Sequence, residues 1–134
     1  MSRRKAREVA LQALFQLDFN KVAQTEAIDA VLGETSILSD GSRDYAKQLV
    51  AGTQEHLSEI DSVISANLRE WKVDRMSGVD RNIARIAVYE MNFGEESLAP
   101  NIIINEAIEL TKRFGSDESP RFINGILGAM VKKK

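Results

Sequence analysis

Apolar residues recur at three- and four-residue steps along almost the whole chain, the spacing of helices that bury one face. Ala6, Val9, Ala10, Ala13, Leu14 and Leu17 make the first such face, with Leu11 and Phe15 on an adjacent line. This pattern predicts a helix that starts near Ser2 as N-cap and ends near Phe19–Asn20. Thr25 is placed to cap a short second helix carrying Ala27, Ile28, Val31 and Leu32, stopped by Gly33. Residues Glu34 to Ser42 lack periodicity and read as a loop. A long helical pattern then runs through Tyr45, Leu49, Gly52, His56, Ile60, Val63, Ile64 and Leu68. Gly52 costs this helix about 1 kcal/mol relative to Ala, which points to close packing there. Ser58 and Asp61 have capping-box spacing, so a kink or restart is expected.

Trp71 to Gly78 reads as a polar connector and a subdomain boundary. Ser77, or Asp80 for a later start, caps the next helix, whose core stripe is Val79, Ile83, Ile86 and Ala87. Glu90 continues that stripe and should face inward, where a carboxylate needs a partner. Pro100 suits the first turn of the following helix. That helix carries Ile104, Ala107, Ile108 and Thr111, with Phe114 beside them and Gly115 as its stop. Glu109 and Arg113 are spaced for an ion pair within it. The last helix carries Phe122, Ile123, Ile126, Leu127 and Met130, and its opposite edge is Arg121, Asn124, Gly125 and Gly128. Ile102–Ile104 is too short for a strand and leads into a helical pattern. The fold class is therefore all-α, with about six to seven helices in two small bundles packed together. Residues 1–134 form one domain, with subdomains near 1–70 and 71–134.

Composition narrows the function. A chain of 134 residues with 43% hydrophobic residues can bury a core. Cysteine is absent and His56 is the single histidine, which excludes thiol chemistry and a histidine metal cluster. Phosphate-loop and nucleophile-elbow motifs are missing, and His56 has no triad context. The acidic pairs Glu95–Glu96 and Asp117–Glu118 suit helix starts without catalysis. A non-enzyme without metal or cofactor is expected. With no apolar run of about eighteen residues and no secretory segment, a cytoplasmic location is expected.

Charge placement is the informative feature. The formal net charge is −2, yet Arg3, Arg4, Lys5 and Arg7 crowd the first turns with no acid among them. Like charges at a helix N-terminus oppose its dipole, and single-stranded nucleic acid offsets that cost through counterion release. Phe15, farther along the same helix, offers a surface on which a base can stack. Arg121 with Phe122 is a second basic and aromatic pair. The bland alternatives are a solvated terminus and a core phenylalanine.

Three blocks resemble the NusB family of bacterial transcription antitermination factors. They are Arg3-Arg4-Lys5-Ala6-Arg7-Glu8 with Ala10 to Phe15, Trp71 to Arg75 with Val79 to Met91, and Ile104 to Leu110 with Lys112 to Gly115 and Arg121 to Leu127. The resemblance spans almost the whole chain. It implies an all-α fold of two helical subdomains and binding of boxA RNA in nascent ribosomal RNA transcripts. It also implies a heterodimer with NusE, a small-subunit ribosomal protein, that joins NusA, NusG and RNA polymerase. The family's RNA contacts map onto Arg3, Arg4, Lys5, Arg7, Phe15, Glu118, Arg121 and Phe122. The NusE surface maps onto Asp80 and extends to Arg81. Pro120 bears on where the last helix starts. Some members form homodimers, and the sequence does not choose between a free monomer and a homodimer.

Two alternatives remain: the NusB-like RNA-recognition domain of a ribosomal RNA methyltransferase, and a plain helical protein-interaction module. Neutralising about four phosphates predicts that log affinity falls against log salt with a slope near −3.

Overall fold

The computed structural model describes residues 3–19, 24–33, 39–68, 76–94 and 98–132. All of its regular structure is helical: α1 (Arg3–Phe19), α2 (Gln24–Gly33), α3 (Asp40–Glu55), α4 (Leu57–Ala66), α5 (Gly78–Asn92), α6 (Pro100–Phe114) and α7 (Ser119–Lys132). No strand occurs among the described residues. Ser2, Asn20, most of the two predicted connectors, Glu95–Glu96, Lys133–Lys134 and the side chains of Phe19, Thr25, Leu32 and Lys132 lie outside the described set.

The predicted stripe of α1 is the buried one: Ala6, Val9, Ala10, Ala13 and Leu14 are all sealed, and Leu11 joins them. Helix α1 packs against α2, α3 and α5. Helix α5 touches α1, α3 and α4 on one side and α6 and α7 on the other, so it lies between the first four helices and the last two. This position explains why every residue from Asn82 to Glu90 is buried. Its interior polar groups are tied to neighbouring helices. The Arg85 guanidinium donates to both oxygens of Asp61 on α4, at 2.8 and 2.9 Å, and to Asp18 on α1 at 3.1 Å. Asn82 also donates to Asp18, at 2.7 Å.

The structure shifts several predicted boundaries. Helix α3 begins at Asp40, inside the expected loop, because the Ser39 hydroxyl accepts the Ser42 N–H and caps it. Thr25 lies within α2 rather than ahead of it. The break between α3 and α4 falls at His56, before Ser58, and Leu57 restarts the helix. His56 is half-buried and stacks on Phe93 with ring centroids 4.3 Å apart. Ser77 is the cap of α5, accepting the Asp80 N–H. On α6 the buried line is Ile103, Ala107, Leu110 and Thr111, with Ile104 and Ile108 only half-buried. The expected Glu109–Arg113 pair is replaced by Glu109 with Lys112 and Arg113 with Glu8 of α1. Packing of α6 on its neighbours brings a better-placed carboxylate to Arg113 than its own helix does.

Two glycines are required by close approach. A Cβ on Gly52 would run into the Tyr89 ring, and one on Gly115 would lie 2.6 Å from the Ser119 hydroxyl oxygen. The Gly115 contact sits at a tight junction, where Ser119 accepts the Ser116 N–H at 2.9 Å. Pro120 is the second residue of α7, a first-turn position whose missing N–H breaks no helical bond.

Candidate nucleic-acid interface

The cationic start of α1 does not present its charges uniformly. Arg3 lies over the Tyr45 ring, 3.8 Å from its centroid. Arg4 is exposed, and its Nε and Nη2 donate to the two carboxylate oxygens of Glu106 on α6, at 3.3 and 2.8 Å. Lys5 is half-exposed. Arg7 turns inward and is only 3% exposed, which removes it from the predicted contact set. Its Nε and Nη2 each donate to an oxygen of Glu90 at 2.8 Å, and the Tyr45 hydroxyl donates to the same carboxylate at 2.5 Å. The physical reason is Glu90, whose inward position demands a charged partner that α1 supplies in Arg7. Burial pulls the Arg7 pKa down, but the hydrogen bond and charge of Glu90 outweigh it and leave the pKa above its ordinary value.

Phe15 is 37% exposed, as its place off the main stripe predicts. It lies about three full turns beyond Arg4, so the two share a face of α1. Phe15 edges an open cavity of about 310 Å³ with Leu11, Val31, Val79 and Phe114. A second cavity, of about 240 Å³, is lined by Met76, Ser77, Asp80, Glu118, Ser119 and Phe122. Consecutive residues Val79 and Asp80 border the two hollows, so the start of α5 links them.

This arrangement brings together residues from three distant blocks. Glu118 and Arg121 are exposed, and Phe122 is half-buried against the core. Asp80 is 9% exposed, and its Oδ1 has no hydrogen-bond partner. Arg81 is engaged internally, donating to Asp18 at 3.0 Å and to the Met76 carbonyl at 3.2 Å. Tyr45, Glu90 and Glu106 complete the environment of the arginines. Of these, only Glu90 carried a local signal, its inward position.

The comparison with known families decides the relationship. A family model described as the NusB family matches residues 4–132. The chain belongs to the NusB family. Among NusB relatives, the transcription antitermination protein NusB of Bacillus subtilis (strain 168) is 47% identical over 127 residues, covering 95% of this chain and 92% of that protein. That of Desulforamulus reducens is 45% identical over 134 residues, covering 100% of this chain and 92% of the relative. Solved NusB structures superpose closely. T. maritima NusB gives a TM-score of 0.90 at 36% identity, covering 99% of this chain and 92% of that one. A chain from a crystal structure of antitermination factors NusB and NusE in complex with dsRNA gives 0.89 at 31% identity, covering 98% and 97%.

Proposed function

We propose that this chain is a transcription antitermination factor that binds boxA-type single-stranded RNA together with NusE, in the cytoplasm and without catalysing a reaction. The observation that carries the reading is the shared face of α1, where exposed Arg4 and exposed Phe15 stand about three turns apart. Arg3, Arg4 and Lys5 hold phosphates, and Phe15 offers its ring to a base. Glu118, Arg121 and Phe122 extend the RNA track past the second cavity. Asp80 and Arg81 at the start of α5 lie on the surface for NusE, whose arrival lengthens the RNA path and joins the pair to RNA polymerase with NusA and NusG. The action is tethering: several weak contacts add up on one strand.

Three of the four cations at the start of α1 reach solvent, so that cluster is expected to contribute a salt slope of about −2. Gel-shift titration of boxA RNA against a scrambled RNA, with and without NusE and over a range of salt, tests the reading. Preference for boxA, tightening with NusE and loss of retention in Arg4→Ala at unchanged helix content are the expected results. Equal binding of both RNAs, together with no effect of Arg4→Ala, overturns it in favour of a plain interaction module.

A further inference from the structure

Building on the RNA reading above, we propose that Glu106 is an internal competitor for RNA phosphate at Arg4, and that it sets how tightly the chain holds RNA before a partner arrives. Glu106 engages Arg4 through two nitrogens and both carboxylate oxygens, the two-pronged geometry by which a guanidinium also takes a phosphate. It is anchored independently, because Arg7 Nη1 lies 3.5 Å from Glu106 Oε1 and Arg7 is itself fixed by Glu90. Glu106 therefore keeps its place beside Arg7 when the exposed Arg4 moves away. Side-chain exposure fits this division, at 58% for Arg4 and 18% for Glu106.

The surrounding charges reinforce the competition. A cavity of about 290 Å³ between α1 and α6 is lined by Arg4, Glu8, Glu109, Leu110, Lys112 and Arg113. Arg113 closes on Glu8 at 2.7 Å and Lys112 on Glu109 at 3.6 Å. With Glu106 included, each cation of this seam faces a carboxylate, and within the basic cluster of α1 both Arg4 and Arg7 are paired with acids. The hydrogen bond and charge of Glu106, followed by the charges of Glu109 and Glu8, hold the Arg4 pKa above its ordinary value against the opposing effect of burial. A single phosphate at Arg4 must displace Glu106. A strand that also engages Arg3, Lys5 and Phe15 overcomes this, because its contacts form together. Glu106 thus suppresses incidental RNA binding more than multi-contact binding.

The test measures affinity for boxA and scrambled RNA by fluorescence anisotropy, with urea unfolding of each variant alongside. Glu106→Gln is expected to tighten both RNAs by about two- to fivefold at low salt. The gain should shrink as salt rises and be at least as large for the scrambled RNA. In an Arg4→Ala background the same substitution should gain nothing. Glu109→Gln, made in a Lys112→Ala background so that no cation is freed, acts on Arg4 only through its field and should give a smaller gain that also needs Arg4. Weaker or unchanged binding in Glu106→Gln with the urea midpoint preserved overturns the proposal. So does a gain that persists without Arg4, or a larger gain from Glu109→Gln. If Arg4→Ala alone leaves RNA binding unchanged, the RNA reading at Arg4 fails and takes this proposal with it.

Discussion

Truncating Glu90 to alanine tests the assignment of Arg7 to the interior. The substitution strips Arg7 of two hydrogen bonds at 2.8 Å and the Tyr45 hydroxyl of its acceptor. Arg7 and Glu90 side chains are 4% and 3% exposed, so water cannot easily replace what is lost. Leaving one partner of a buried ion pair uncompensated costs about 3–5 kcal/mol. That is a large share of the roughly 5–15 kcal/mol that holds a domain folded. With a urea m-value of about 2 kcal/mol/M, the unfolding midpoint should fall by about 2 M at unchanged m. The triple variant Arg7→Met, Tyr45→Phe, Glu90→Leu removes all three polar groups together and should recover most of this loss. It should also keep RNA affinity far closer to the parent than Arg4→Ala does, since Tyr45→Phe removes only the hydroxyl and leaves an aromatic ring beneath Arg3. A loss below about 1 kcal/mol in Glu90→Ala would refute the reasoning, because it would mean that the pair is hydrated or dispensable.

Two further outcomes follow from the same packing. Gly52→Ala forces a methyl group into the buried Tyr89 ring, and overpacking of about 1–3 kcal/mol should outweigh the helix-propensity gain, whereas Gly125→Ala, with nothing within 4 Å, should stabilise by up to about 1 kcal/mol; calorimetric melting should separate the two in sign. Burial pushes the Asp18 pKa up, but hydrogen bonds from Asn82 and Arg81 and the charges of Arg85 and Arg81 outweigh it and hold the carboxyl below its usual value. Its stabilisation is therefore present above about pH 4 and lost as pH falls through the lowered folded-state value. Asp18→Asn should lower stability at neutral pH and flatten the acid decline, and equal acid slopes in urea titrations of parent and variant contradict this.

Local periodicity carried most of the fold. Helix α1 was legible because its apolar positions form one narrow line, and Phe15 stood out because it lies off that line. The start of α3 was not, since Ser39-Asp40-Gly41-Ser42 has the composition of a turn, and only the Ser39 cap shows that it opens a helix. The α6 stripe was read one position away because Ile102, Ile103 and Ile104 make an apolar band too broad to locate its centre. At the site, the inward position of Glu90 could be inferred but its partner could not. Arg7 looks like one more member of a basic run, and a pairing across 83 positions leaves no local trace. Glu118 and Asp80 carried no signal for a contact and were reached as such only through the family resemblance, whereas Arg121 also stood out as a basic residue beside Phe122.

The carboxylate of Glu90 joins α5 to α1 and α3, across 83 and 45 positions of chain. Arg85 does the same for α1 and α4. A partly assembled molecule lacking any of these helices would carry a stranded buried charge, so such forms are selectively penalised. Division of the chain near residue 70 would separate Arg7 from Glu90 and Asp61 from Arg85, leaving neither fragment electrically complete. These ties couple α1, α3, α4 and α5 to one another, and slow amide exchange should appear together in α1 and α5 rather than in one half at a time.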